Sequence, residues 1–354
     1  MSRTTLGTPS GNRSLGPTRA GWAARIALVG LFAAMIEGCG PPPQTRTPEL
    51  DADPPAGANA SAGTAASELQ RGIAHIKQER YADARPHIEK ARELDPKNPE
   101  VLFYLGLVKV ETGDVAGAEA AYRDAIKLDP KFIEAFENLS ALYLSPPPRP
   151  DEAIAVLNDA LKLAPDNVRL MQNLAFAHSL KGDVEGASKY YEAALAKGDD
   201  LKLRFDYASF LFEAKQLDKA AEQLKKVLDK VADDDVAMLA TLGLYLGQTK
   251  AFADCVKAYD RALKIKPEAE RFVRRGRCKH ELGDKPGAKA DYEAAVKTDA
   301  QFAPAHYYLG LALLDEKKRQ SAIASFEKAA TLGGSSPIGK LAKAKFDALM
   351  AQKK

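Results

Sequence analysis

The sequence predicts an all-α protein built as a helical-repeat solenoid of about eight helix-turn-helix repeats. A pattern of apolar, small and aromatic residues recurs about every 34 residues from residue 65 to residue 335, and a period of this length is typical of helical-repeat proteins. Within each repeat, apolar residues fall at helical spacing in two stretches separated by a polar turn. Each repeat therefore offers two helices, which bury their apolar faces by stacking on neighbouring repeats.

The second repeat shows why these residue types recur. Its two apolar stretches are 99–112 and 116–128. Small residues such as Gly106 and Ala118 allow two helices to approach closely, and Pro130 ends the second helix because it has no backbone N–H to donate. We therefore expect an antiparallel helix pair.

The small residue of the first helix is present in every repeat. It is Gly72, Gly106, Ser140, Ala175, Ala208, Gly243, Gly276 and Gly310. This spacing resembles the tetratricopeptide repeat (TPR) family over about three quarters of the chain. The resemblance implies a right-handed superhelical solenoid whose repeats are approximately 65–98, 99–132, 133–167, 168–200, 201–235, 236–268, 269–302 and 303–335.

The residues after the eighth repeat, 336–354, predict a capping helix. A solenoid otherwise ends on an exposed apolar face. Leu341, Phe346 and Met350 are the large apolar residues that we expect this helix to bury.

The N-terminal segment 1–38 resembles the signal peptide of bacterial lipoproteins. Four Arg residues precede the apolar run 26–36, which is well short of the ~20 residues that span a bilayer as a helix. The residues Ile-Glu-Gly before Cys39 resemble a lipobox, and the resemblance implies cleavage before Cys39 and acylation of that residue. Gly40, rather than Asp, then favours the outer membrane, facing the periplasm. A signal peptide whose Cys39 carries no lipid is the alternative.

Residues 39–64 predict a disordered tether that begins at the lipidated cysteine. They are rich in Pro, Gly and Ala and hold almost no large apolar side chains, so they cannot form a core. The net charge of the chain is +3, and residues 1–38, with four Arg and one Glu, account for all of it. Because the remainder is neutral and shows no basic face, we expect no nucleic-acid partner.

Chemistry-bearing motifs are missing from the sequence. The five His residues do not cluster, and no zinc-protease, nucleophile-elbow, phosphate-loop or calcium-loop spacing occurs. We therefore expect no enzyme, no cofactor and no metal. Cys255 and Cys278 lie on helices that should pack together, so they are either two small buried residues or a disulfide.

The TPR resemblance places candidate binding residues on the concave face, which the first helix of each repeat lines. The apolar members of those slots are Phe103, Leu107, Val110, Phe176, Phe205, Phe212, Leu244, Tyr307 and Leu311, among others, and the polar members include Glu100, Glu137, Arg169, Gln172, Arg277 and His280. Asn138 and Asn173 share another slot, where an amide can bond to a bound backbone. The apolar residues either form the core between repeats or a groove for an apolar helix or extended peptide.

We therefore expect a non-enzymatic, lipid-anchored envelope scaffold that binds partner proteins through the concave groove. The resemblance favours a role in assembling envelope machinery, such as a secretin, a pilus, a secretion system or an outer-membrane assembly complex. Two alternatives stay open. One is a docking factor or regulator of cell-wall enzymes, and the other is an accessory protein that binds glycan directly on aromatic side chains.

Overall fold

The computed structural model describes residues 64–351, and this part consists of seventeen α-helices without a β-strand. The predicted signal peptide and nearly all of the predicted tether lie outside the described residues. The helices are α1 (Ala65–Ile76), α2 (Tyr81–Leu94), α3 (Pro99–Glu111), α4 (Val115–Leu128), α5 (Ile133–Leu144), α6 (Pro150–Leu163), α7 (Val168–Lys181), α8 (Val184–Lys197), α9 (Leu201–Glu213), α10 (Leu217–Leu228), α11 (Val236–Gln248), α12 (Phe252–Ile265), α13 (Ala269–Glu281), α14 (Lys285–Thr298), α15 (Ala303–Asp315), α16 (Arg319–Gly333) and α17 (Pro337–Ala351).

The first sixteen helices form eight helix-turn-helix repeats. Each odd-numbered helix from α1 to α15 packs most extensively against the even-numbered helix that follows it, and each pair then contacts the next pair along the chain. The predicted all-α TPR solenoid is thereby confirmed.

The turns inside the repeats depend on one residue with a left-handed backbone. Gly113, Gly182 and Gly283 occupy this position with φ of 84°, 73° and 84°, a conformation that costs glycine little. After the turn in the second repeat, the Asp114 side chain accepts a hydrogen bond from the Gly117 backbone N–H at 2.9 Å. This contact caps the first turn of α4 and fixes where the second helix begins.

In several repeats, a glycine on the first helix lies beneath an aromatic ring of the second helix and sets the distance between the two helices. A Cβ atom placed on Gly106 would lie 2.6 Å from the Tyr122 ring. The equivalent distance is 2.7 Å for Gly243 and Tyr259. Real Cβ atoms do not approach ring carbons so closely, so the small residue is needed for the ring to pack flat against the first helix.

Helix α17 packs on α16, but its buried face differs from the expected one. Leu341 and Met350 are 53% and 42% exposed, whereas Gly339, Ala342 and Leu349 are buried. A Cβ on Gly339 would lie 2.5 Å from the Gly333 carbonyl carbon. The close backbone contact between these two glycines sets the rotation of α17, and it turns Leu341 toward solvent.

Two chemical features are absent from residues 64–351. No helix there is both long enough and apolar enough to span a bilayer. No three His, Cys, Asp or Glu side chains in the same range are grouped so that they could hold a metal ion.

Candidate protein-binding groove

The predicted groove residues fall into three classes of burial. Phe103, Leu107, Asn138, Asn173 and Tyr307 are buried. Val110, Phe205, Phe212, Leu244 and Leu311 are half-buried, and Phe176 is 44% exposed. The sequence-derived set therefore mixes core residues with residues that keep contact with solvent.

The buried members near α3 belong to the core between repeats. The Phe103 ring has no exposed surface. Its centroid lies 5.0 Å from that of Phe132 and 6.0 Å from that of Tyr122. Phe132 lies just before α5, so it links the second repeat to the third. Phe103 and Leu107 consequently offer no surface to a ligand.

Asn138 and Asn173, which occupy the same slot in adjacent repeats, are also buried. The Asn173 Nδ2 atom lies 3.4 Å from Ser140 Oγ and joins the third and fourth repeats. The Nδ2 atom of Asn138 is buried without a hydrogen-bond partner. Neither amide lies on the open surface where a bound backbone could reach it without rearrangement of the side chains around it.

An aromatic cluster, formed by Phe205, Phe212 and Tyr245, occupies the surface between α9 and α11. The Tyr245 ring stands edge-on to both phenylalanines, with centroid distances of 5.8 Å to Phe205 and 5.2 Å to Phe212. All three side chains are half-buried. Edge-on pairs are a favoured arrangement of aromatic rings, so the three rings form one joined apolar surface.

The cluster lies where the first helices are farthest apart. Helices α11 and α13 are in direct contact, and so are α13 and α15. Helix α9, in contrast, makes no comparably close approach to α7 or to α11. Large aromatic side chains fill part of this wider spacing. The rest of it remains open, which explains why Phe205 and Phe212 retain exposed surface.

The electrostatic surroundings of the cluster include one perturbed carboxyl group. Asp206, next to Phe205, keeps solvent contact, but the protein around it displaces much of the surrounding water and raises its pKa to about 6. Partial burial also raises the pKa of Tyr245, and the nearby Glu213 carboxylate adds to this shift. The protein thus displaces part of the water around the Asp206 carboxyl and the Tyr245 phenol.

A disulfide joins the sixth and seventh repeats. Cys255 on α12 and Cys278 on α13 are bonded, with their Cα atoms 6.4 Å apart. Sequence reasoning left this pairing open. The bond fixes α13 against the sixth repeat, and α13 also carries the exposed side chain of Arg277. Lipidation of Cys39 remains a prediction, because that residue lies outside the described part of the chain.

The sequence missed Tyr245, the residue on which the cluster depends. Tyr245 follows the groove slot held by Leu244 and is not itself in a slot that lines the concave face in the TPR family. Its ring nevertheless reaches across to α9. The only sequence signal was the unusual density of aromatic residues in α9, where Phe205, Tyr207, Phe210 and Phe212 occur within one helix.

The fold and this surface define a helical-repeat scaffold of the class that binds other proteins. Tetratricopeptide repeat family models match residues 69–131, 149–201, 181–243 and 275–337, which together cover more than half of the chain. The chain belongs to the tetratricopeptide repeat family.

Curated relatives match the sequence of this chain at low identity. The TPR repeat-containing protein YpiA of Bacillus subtilis (strain 168) is 27% identical over 150 residues, which cover 42% of this chain and 35% of the relative. The human antiviral innate immune response effector IFIT1 is 29% identical over 252 residues, covering 70% of this chain and 44% of the relative. The chain thus spans less than half the length of these curated relatives.

A solved structure shows the same kind of likeness. The crystal structure of a thermophilic TPR protein of Thermus thermophilus is 23% identical, with a TM-score of 0.40. The match covers 52% of this chain and 99% of the other.

Proposed function

We propose that this protein is a non-enzymatic, lipid-anchored scaffold of the bacterial envelope that binds partner proteins on the aromatic cluster. The observation that supports the binding surface is the half-buried group of Phe205, Phe212 and Tyr245 at the widest spacing between first helices. Exposed aromatic groups of this kind are common at the centres of protein interfaces. The proposed partners are subunits of envelope assembly machinery.

The proposed anchor depends on Cys39 and the lipobox-like residues before it. Each buried methylene of an acyl chain contributes ~0.8 kcal/mol to membrane binding, so two or three chains hold a protein stably. The Cys39→Ser variant should leave the membrane fraction, whereas the Cys255→Ala/Cys278→Ala variant, which retains Cys39, should stay in it. Membrane association of Cys39→Ser would contradict the anchor.

The binding surface is tested by capture of partners from gently solubilised envelopes. The variant Phe205→Glu/Phe212→Glu should lose a stoichiometric partner, because charged groups on the cluster would have to give up water to be covered. The matched control is Ile265→Glu, which changes an exposed apolar residue on the second helix of the sixth repeat. Circular dichroism measures whether helicity survives, and a loss of helicity would show that the two rings belong to the core.

Mass spectrometry of the captured proteins separates the remaining functions. Subunits of a secretin, pilus, secretion or outer-membrane assembly complex would support the assembly role. Capture of cell-wall synthases or hydrolases alone would favour the docking or regulatory role. Peptidoglycan fragments without protein would instead favour direct glycan binding.

A further inference from the structure

A crevice between the first two repeats combines an apolar floor with a charged rim. It lies between α2, α3 and α4 and has a volume of about 440 Å³, within the range of ligand pockets in proteins. The buried side chains of Leu102, Leu105 and Ala121 form its floor, and Leu128, which is 43% exposed, lies at its mouth. The charged residues that line it are Arg92, Lys97, Lys109, Asp124 and Lys127.

Three of the four cations of this rim have no partner among the described residues. Lys109 forms an ion pair at 2.5 Å with a carboxylate outside the lining. Arg92, Lys97 and Lys127 are exposed and form no ion pair with another residue in the range 64–351. Asp124 is the one carboxylate that lines the crevice. The rim therefore keeps an excess of positive charge, which attracts an anionic group.

The equivalent crevice between the fourth and fifth repeats is satisfied by the chain itself. Arg204 occupies the slot of Leu102 there, and Gln223 occupies that of Ala121. The Arg204 guanidinium donates to Gln223 Oε1 at 2.6 Å and to Asp199 Oδ1 at 2.8 Å. The crevice of the first two repeats has an apolar floor instead and unpaired cations at its rim. Its complement is an apolar side chain flanked by carboxylates.

One segment of this chain has that composition. In residues 40–64, Leu50 is the only large apolar residue, and Glu49, Asp51 and Asp53 are the only acidic residues. The apolar side chain and the three carboxylates thus fall together in the segment 49–53, which lies outside the described residues.

The length of chain before α1 allows this segment to reach the crevice. Leu50 precedes Thr64, the N-cap of α1, by fourteen residues, and these can span up to ~45 Å when extended. Since α1 and α2 form an antiparallel pair, the last turn of α2, which carries Arg92, lies at the same end as Thr64. Neighbouring helices are about 10 Å apart, so the crevice is within reach.

We infer that the segment 49–53 docks in the crevice between the first two repeats. The Leu50 side chain packs on the apolar floor, and the three neighbouring carboxylates pair with the cations of the rim. The inference concerns a surface separate from the aromatic cluster, and it does not depend on whether Cys39 carries a lipid.

Docking would shorten the tether between the proposed anchor and the solenoid. Ten residues separate Cys39 from Glu49, and they span at most about 35 Å. The twenty-five residues from Cys39 to Thr64 span up to about 85 Å when extended. The docked segment would thus hold the first repeat closer to the membrane.

Photochemical crosslinking in the full chain tests the docking. A p-benzoylphenylalanine in place of Ala52 puts the probe inside the segment and retains Leu50 and the three carboxylates, and the same probe in place of Ala60 is the matched control. The first probe should crosslink within one chain to α2, α3 or α4, as identified by mass spectrometry of the digested protein. Its yield should exceed that of the control several-fold and should fall with added salt. The further change Leu50→Ser should remove the crosslink.

Charge reversal tests the contribution of the rim. Lys97→Glu/Lys127→Glu should abolish the crosslink, and Glu49→Lys/Asp51→Lys in the same chain should restore it. Restoration also shows that the reversed rim still folds, which circular dichroism measures independently. Lys219→Glu changes an exposed lysine of the equivalent crevice between the fourth and fifth repeats, and it should leave the yield unchanged.

Three results would overturn the inference. They are equal yields from the two probe positions, a crosslink that survives Lys97→Glu/Lys127→Glu, and a crosslink that joins two chains, since the segment would then dock on a second copy. None of them bears on the aromatic cluster or on the lipid anchor, which are tested by their own variants.

Discussion

Helices α3 and α9 are the first helices of their repeats, yet the protein uses them differently. Helix α3 buries every residue from Val101 to Val108, whereas α9 buries only a stripe of five residues. The equivalent phenylalanines show the contrast most clearly, since Phe103 is fully buried and Phe205 is half-buried. Helix α3 directly contacts the first helices on both sides, and α9 contacts neither closely. The spacing of the helices thus decides whether a repeat slot is core or surface.

The largest expected effect comes from exchanging the two equivalent phenylalanines for alanine. Phe103→Ala should lower the free energy of unfolding by about 3–5 kcal/mol, because it leaves a cavity in a packed core. Phe205→Ala should cost less than about 2 kcal/mol, since part of the ring is already in water. Chemical unfolding followed by circular dichroism measures both values.

The effects of the two substitutions on partner binding should follow the opposite order. Folded Phe103→Ala should capture the partner normally, whereas Phe205→Ala should capture it poorly. If both variants were equally destabilised, it would be wrong that this slot belongs to the core in the second repeat and to the surface in the fifth.

A third first helix, α13, differs from α3 in how it is held in the solenoid. Ion pairs contribute to the packing of α13, whereas α3 is held by apolar packing. Asp291 is 3% exposed and pairs with both Arg275 and Lys279. Asp291→Asn should lower the free energy of unfolding by about 3 kcal/mol, because it leaves the partly buried Lys279 without its carboxylate partner and Arg275 with Asp260 alone. The measurement is the midpoint of urea unfolding.

An exposed ion pair provides the control for Asp291. Asp151 pairs with Lys181 at 2.6 Å but is 74% exposed, and exposed pairs contribute only about 0–1 kcal/mol. Asp151→Asn should therefore leave stability nearly unchanged. A small effect of both substitutions would mean that water reaches the network around Asp291 and that packing, rather than charge, holds α13.

The sequence was sufficient to predict the solenoid because the repeat depends on residues that are close together in the sequence. Small residues such as Gly106 mark the helix contacts, and helical apolar periodicity marks the two helices of each repeat. Whether the side chain in each groove slot is buried or exposed was not predictable in the same way. Phe103 is covered partly by Phe132, which lies in the turn that leads to the next repeat, and Tyr245 reaches the cluster from a slot outside the family pattern. Both contacts depend on how far apart neighbouring repeats lie.

The disulfide between α12 and α13 provides a further test of how α13 is held in the solenoid. Cys255 and Cys278 are 23 residues apart, and closing a loop of that size contributes about 3 kcal/mol in the chain-entropy view. The Cys255→Ala/Cys278→Ala variant should lose this amount in unfolding measurements. A reductant should destabilise the wild-type protein and have no effect on the variant; an equal response of both would indicate that the bond adds nothing to the seventh repeat.

The smallest expected effect is the pH dependence that Asp206 confers on the open region around α9. Its folded-state pKa of about 6 lies above the value of an exposed aspartate, so the folded protein binds a proton more tightly than the unfolded chain does. The associated stabilisation is present at low pH and is lost as the pH rises from about 4 through about 6. Relative to Asp206→Asn, the wild-type protein should therefore become less stable over this interval. A stability difference between wild type and Asp206→Asn that did not change with pH would show that water solvates this carboxylate fully and that the groove around α9 is as open as an ordinary surface.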